Sequence, residues 1–134
     1  MDILKREARD VRTDHDVVQV RHAVRALAAE LGFSLVDQTK LVTAASEIAR
    51  NTLQYGGGGR VEIDVVRREA RQGLRMVFTD TGPGIADLDQ AMRDGYTSGG
   101  GLGLGLGGAR RLVNEFEIDS RPGEGTRVAL VRWR

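Results

Sequence analysis

Leu74-Arg75-Met76-Val77-Phe78 leads, after Thr79, into Asp80-Thr81-Gly82-Pro83-Gly84. The first five residues alternate apolar and polar, the period of a half-buried strand. The second five put a carboxylate at the end of that strand, followed by two glycines around a proline. The result is a tight turn with exposed backbone and one fixed acceptor. Such a carboxylate can accept from the exocyclic amine of a base, and glycine lets a planar ring lie close. The same residues also suit a plain strand–turn–helix junction in which Asp is a turn former.

Upstream, Val61-Glu62-Ile63-Asp64-Val65 alternates in the same way, and the polar stretch Arg67–Gln72 joins the two runs as a hairpin. Two helical patterns precede them. Val17, Val20, Val24, Leu27, Ala28 and Leu31 follow the helical period behind a cap at Asp14 or Asp16, and Gly32 ends that helix. Ser34 starts the second helix, with Asp37 three positions on, and Leu41, Val42, Ala45, Ile48, Ala49 and Thr52 form its buried stripe. Gly56–Gly59 then breaks the chain. Ala8–Arg12 is a candidate edge strand.

Downstream, a short helix is expected over Ala86–Met92 and a longer one over Leu104–Phe116. Glu117–Ser120 and Thr126–Trp133 form a last strand pair around Pro122-Gly123-Glu124-Gly125. The expected architecture is α+β: a two-layer sandwich with a mixed, mostly antiparallel sheet and helices on one face. A length of 134 residues suits one domain spanning 1–134.

Composition removes whole classes of chemistry. With no cysteine there are no disulfides, thiolate metal sites or thiol nucleophiles, and a reducing cytoplasm is the expected setting. Charge is nearly balanced, 20 Lys and Arg against 19 Asp and Glu, which argues against a nucleic-acid partner. No apolar run approaches the ~20 residues that span a bilayer, so no membrane role is expected. Lys5 and Lys40 are the only lysines and neither follows a glycine-rich loop, so a Walker-type phosphate loop is unavailable. His15 and His22 sit in no metal-ligand spacing, and no Gly-x-Ser-x-Gly elbow exists.

Two further constellations carry chemistry. Glu47 and Asn51, in Ser46-Glu47-Ile48-Ala49-Arg50-Asn51, share one helix face at the boundary of the apolar stripe, while Arg50 points towards water. They suit a cleft or an ordinary polar helix edge. Of the 18 glycines, eight fall between Gly95 and Gly108. Glycine costs roughly 0.5–1 kcal/mol per ordered position. Such density suits exposed backbone N–H groups feeding a helix N-terminus, which favours a phosphate, with a disordered loop as the alternative. Leu102, Leu104 and Leu106 distinguish the stretch from a solvated linker. Gly103-x-Gly105-x-x-Gly108 matches a dinucleotide fingerprint, but no strand precedes it, which excludes a Rossmann unit.

In this order the motifs resemble the GHKL ATPase/kinase superfamily. Glu47–Asn51 is similar to its N box, Asp80–Gly84 to its first glycine box, Gly99–Gly105 to its second, and Gly125-Thr126 to its final Gly-Thr pair. Ala29-Glu30-Leu31-Gly32-Phe33, Asp94-Gly95-Tyr96-Thr97-Ser98-Gly99-Gly100 and Glu115-Phe116 extend the likeness to the RsbT-type switch kinases of bacterial stress signalling, from about Thr13 to Trp133.

The resemblance implies a Bergerat ATP-binding fold and an ATP- and Mg²⁺-dependent protein serine/threonine kinase. It implies Glu47 as the catalytic carboxylate, Asn51 as the metal ligand, and Asp80, Gly84 and Thr126 around the adenine. The backbone amides of Gly101, Gly103 and Gly105 would hold the β- and γ-phosphates, with Gly82, Gly99, Gly100, Leu102 and Leu104 also in the cofactor-binding set. The implied partners are a STAS-domain antagonist as substrate and a PP2C-type phosphatase activated on release. A nucleotide-gated binding module, or an anti-sigma factor holding a sigma subunit, is the alternative. The glycine lid contains no basic residue; Arg110 and Arg111, just beyond it, are the candidates to neutralise the γ-phosphate. Phe33, Tyr55 and Trp133 are candidates for a partner surface or for core edges.

Overall fold

In the computed structural model, residues 1–93 and 105–134 are described. The chain runs β1 (Asp2–Val11), α1 (Asp14–Glu30), α2 (Leu35–Gln54), β2 (Gly59–Arg68), β3 (Arg71–Asp80), α3 (Leu88–Ala91), α4 (Gly105–Arg111), β4 (Glu115–Arg121) and β5 (Gly125–Trp133). The strands form one sheet in the order β1-β2-β3-β5-β4, and all four pairings are antiparallel. No parallel pair occurs among the described residues, so the expected mixed sheet is purely antiparallel.

Local chemistry sets the element ends. Thr13, not Asp14 or Asp16, caps α1: its hydroxyl accepts from the Asp16 N–H, and the Asp16 carboxylate accepts from the Thr13 N–H, a reciprocal box. Gly32, at φ 82°, turns the chain out of that helix in a conformation suited to glycine. Ser34 caps α2 as expected. The Asp37 carboxylate does not complete a box there; it pairs with Arg132 of β5 at 2.7 Å and ties the start of α2 to the sheet.

Three elements differ in extent from the expectation. The edge strand covers Asp2–Val11 rather than Ala8–Arg12, because pairing with β2 stabilises a charged stretch that shows no apolar alternation. The short helix contracts to Leu88–Ala91, with Asp87 as its cap. The last helix stops at Arg111 rather than Phe116. There Leu112 and Val113 donate to carbonyls three residues back, and the Asn114 N–H turns to the Val131 carbonyl. Glu115 and Phe116 thereby join β4.

One sheet face carries the helices. Val61, Ile63, Leu74, Met76, Phe78, Val128 and Leu130 lie on it and form one core with Val20, Val24 and Leu27 of α1 and Leu41, Ala45 and Ile48 of α2. Leu106 and Ala109 of α4 join the same cluster. The alternation of the strands therefore commits this face to the hydrophobic layer. On the opposite face Asp64 is fully buried, with Arg6 bidentate on its carboxylate at 2.8 and 3.0 Å and Arg75 at 3.7 Å.

Candidate functional site

Register at one end of the sheet brings four strands together in a single row. Gly59 of β2 pairs with Asp80 of β3, Asp80 with Thr126 of β5, and Thr126 with Ser120 of β4. Asp80 follows Phe78 by two, so its side chain leaves the sheet on the helix-bearing face. The C-terminal half of α2 crosses above this row. Between them lies a cleft of about 350 Å³, within the range of roughly 300–1,000 Å³ usual for small-molecule sites. Glu47, Asn51, Asp80, Gly84, Gly105 and Thr126 all line it. Ile48, Phe78, Ile85 and Val128 supply apolar walls.

The Asp80 carboxylate is fixed at one oxygen and backed by glycine. Oδ1 accepts the Gly82 N–H at 2.9 Å. A Cβ at Gly56 would overlap the Asp80 carboxyl group, and one at Gly82 would press on the Gly56 backbone. Gly84, at φ 75°, and Gly125, at φ 88°, combine left-handed backbone with close contacts to the Arg121 and Asp80 carbonyls, respectively, leaving no room for a side chain. Ser120 knits the row to the turn: its hydroxyl accepts the Ile85 N–H at 2.7 Å and lies 2.7 Å from the Thr126 hydroxyl.

On α2, Glu47 is buried and Asn51 half-buried, one turn apart. Both Glu47 oxygens are engaged. Oε1 accepts from the Arg50 guanidinium at 2.6 Å, and Oε2 accepts the Gly105 N–H at 3.2 Å. The Gly105 amide, expected from the sequence to face a phosphate, is thus directed to Glu47 here. Asn51 lines the cleft, and no described residue hydrogen-bonds its carboxamide.

Several expected residues fall elsewhere. Gly99, Gly100, Gly101, Leu102, Gly103 and Leu104 lie outside the described residues. Arg110 and Arg111 are exposed on the last turn of α4, and neither lines the cleft. Arg50 is exposed, as expected, and it also lines the cleft, where it is the one cation among the described lining residues. Phe33, Tyr55 and Trp133 form no common surface: Phe33 is in the core, Tyr55 lines the cleft, and Trp133 donates to Glu115 under Arg68. Sequence reading also missed Gly56 and Ser120, whose roles rest on contacts across 24 and 6 or more positions of chain that no local pattern reports.

Comparison with known proteins agrees with this geometry. Residues 36–133 match the family described as histidine kinase-, DNA gyrase B-, and HSP90-like ATPase. The serine/threonine-protein kinase RsbT of Bacillus subtilis (strain 168) is 43% identical over 123 residues, 92% of each chain. An anti-sigma F factor of Clostridium beijerinckii is 33% identical over 116 residues, 82% of this chain and 80% of that protein. A solved structure of the RsbU and RsbW domains of a Mycobacterium tuberculosis protein superposes with a TM-score of 0.64 at 23% identity. It covers 97% of this chain and 33% of that one, a likeness of fold.

Proposed function

The chain belongs to the family of histidine kinase-, DNA gyrase B- and HSP90-like ATPases, and within it we propose a cytoplasmic protein serine/threonine kinase that works by partner switching as a single ATP-binding domain. Its substrate is a serine or threonine of a STAS-domain antagonist, and its release activates a PP2C-type phosphatase. The observation that carries this reading is the single cleft in which α2 presents Glu47 and Asn51 opposite Asp80 and Thr126 of the sheet.

The residues fit the ligands. Asp80 keeps one carboxylate oxygen fixed by Gly82 and can take the adenine amine on the other. Gly82, Gly84 and Thr126 shape the wall around the base, with Ser120 holding Thr126. A carboxamide oxygen suits a hard cation that keeps several waters and phosphate oxygens of its own. Asn51 would therefore hold a magnesium ion, whose contribution is charge neutralisation across the phosphates. The phosphate role of residues 99–104 is carried by their motif.

Glu47 orients and receives the proton of the attacking hydroxyl. Phosphoryl transfer depends mainly on positioning and charge stabilisation, so one well-placed carboxylate is sufficient. Gly105 holds that carboxylate from α4 and links the end of the glycine segment to the base.

The test uses purified protein, γ-labelled ATP with magnesium, and a STAS-domain protein. Label on a serine or threonine of the partner supports the kinase. Glu47→Ala is expected to bind nucleotide and lose transfer by at least a hundredfold, the scale of a general base. Asn51→Ala is expected to lose magnesium-dependent transfer with the fold intact by circular dichroism. Tight nucleotide binding with no label and retention of a sigma subunit would replace the kinase with the sequestering role of the anti-sigma relatives.

A further inference from the structure

We propose that Arg50 is the phosphate-facing cation of this site, parked on Glu47 until a nucleoside triphosphate draws it away. The inference rests on the nucleotide reading above and assigns a residue that the family motifs leave blank. The cleft's described lining contains three carboxylates, Glu47, Asp80 and Asp87, against one guanidinium. A triphosphate entering such a cleft meets net negative charge, which a single divalent ion balances only in part. Arg110 and Arg111 do not line it. Arg50 does, and it sits directly before Asn51 on the same helix.

Its present contact has the character of a resting position. The pair with Glu47 spans one helical turn at 2.6 Å, and the Arg50 side chain is 46% exposed while that of Glu47 is 9% exposed. The exposed guanidinium can swing away, but the buried Glu47 carboxylate then keeps only the Gly105 N–H, so the exchange needs an anion that binds Arg50 more strongly than Glu47 does. A terminal phosphate offers more charge and a geometry that matches the planar fork in two places. The exchange has a consequence for the base. With Oε2 on Gly105, departure of Arg50 leaves Oε1 without a competing donor, so its full acceptor capacity turns to a hydroxyl when the triphosphate arrives. Arg50 is a phosphate-binding residue that also gates Glu47.

Calorimetric titration of the full chain with magnesium and either ADP or the β,γ-imido analogue of ATP tests this. Arg50→Ala is expected to weaken the analogue about tenfold, the scale of a charge-assisted hydrogen bond, and to leave ADP within about twofold. Arg50→Lys should restore part of the loss. Glu47→Gln, which frees Arg50 from its ion pair, should bind the analogue at least as tightly as the unaltered chain. Equal weakening of both nucleotides by Arg50→Ala, or no weakening of either, overturns the proposal; so does analogue binding selectively weakened by Glu47→Gln. An unaltered chain that binds neither nucleotide removes the nucleotide reading itself, a different failure from loss of the ATP-over-ADP difference alone.

Discussion

Gly56 shows how a residue without a side chain positions one that has one. It lies against the Asp80 carboxyl group, so a Cβ there would force that carboxylate out of place. Its neighbour Gly57, at φ 72°, faces open space and is constrained by backbone conformation alone. Gly56→Ala is therefore expected to reduce nucleotide affinity at least tenfold in a direct titration. Gly57→Ala should cost about 1 kcal/mol of stability and leave affinity near that of the unaltered chain. Equal affinities for the two variants would separate Asp80 from the base-binding role. At this scale Glu47, Asn51 and Asp80 are legible in the sequence because type and spacing alone place them on a helix face and at a strand end. Gly56 is not, because its role lies in a contact with a residue 24 positions away. Arg50 is exposed as its wheel position predicts, and what the wheel does not report is its ion pair with Glu47. A helical wheel fixes the direction of a Cβ, whereas a long side chain carries its guanidinium back over the turn to Glu47.

Elements were legible where local chemistry and tertiary contacts agree. The alternation of β2 and β3 and the apolar stripes of α1 and α2 survive almost unchanged, since each faces the same core. Glu115 and Phe116 have no such agreement: their residue types extend a helix, but pairing with β5 outweighs that preference. Two element ends also carry pH dependence. The Arg12 N–H bonded to the Asp16 carboxylate, helped by Thr13, holds it below its ordinary value of 3.8. The Trp133 indole N–H, then Arg68, holds Glu115 below 4.5. A carboxyl group with a lower pKa in the folded state stabilises fully above its unfolded value and loses that contribution as pH falls through the folded one. Thermal melts are thus expected to show stability falling below about pH 4, with Asp16→Asn and Glu115→Gln each flattening the profile. A steeper acid loss in either variant would contradict this assignment.

Over the whole molecule, two layers meet at one end of the sheet. The antiparallel register puts Gly59, Asp80, Thr126 and Ser120 in a row, and α2 crosses over that row with Glu47 and Asn51. Composition and periodicity foretold the layers, and the order of motifs foretold the cleft. Register itself was not readable, because pairing between distant strands is set by the packed core rather than by either strand alone. The opposite sheet face, with Asp64 held by Arg6 and Arg75, takes no part in the site. Backbone amide NMR during titration with magnesium and ATP tests this division most directly. Among the described residues, the largest shifts should fall at 47–56, 80–85, 105–106 and 120–126, with 6, 64 and 75 nearly unmoved. Shifts centred on 6, 64 and 75, or none at 47–56 and 80–85 under saturating nucleotide, would contradict it.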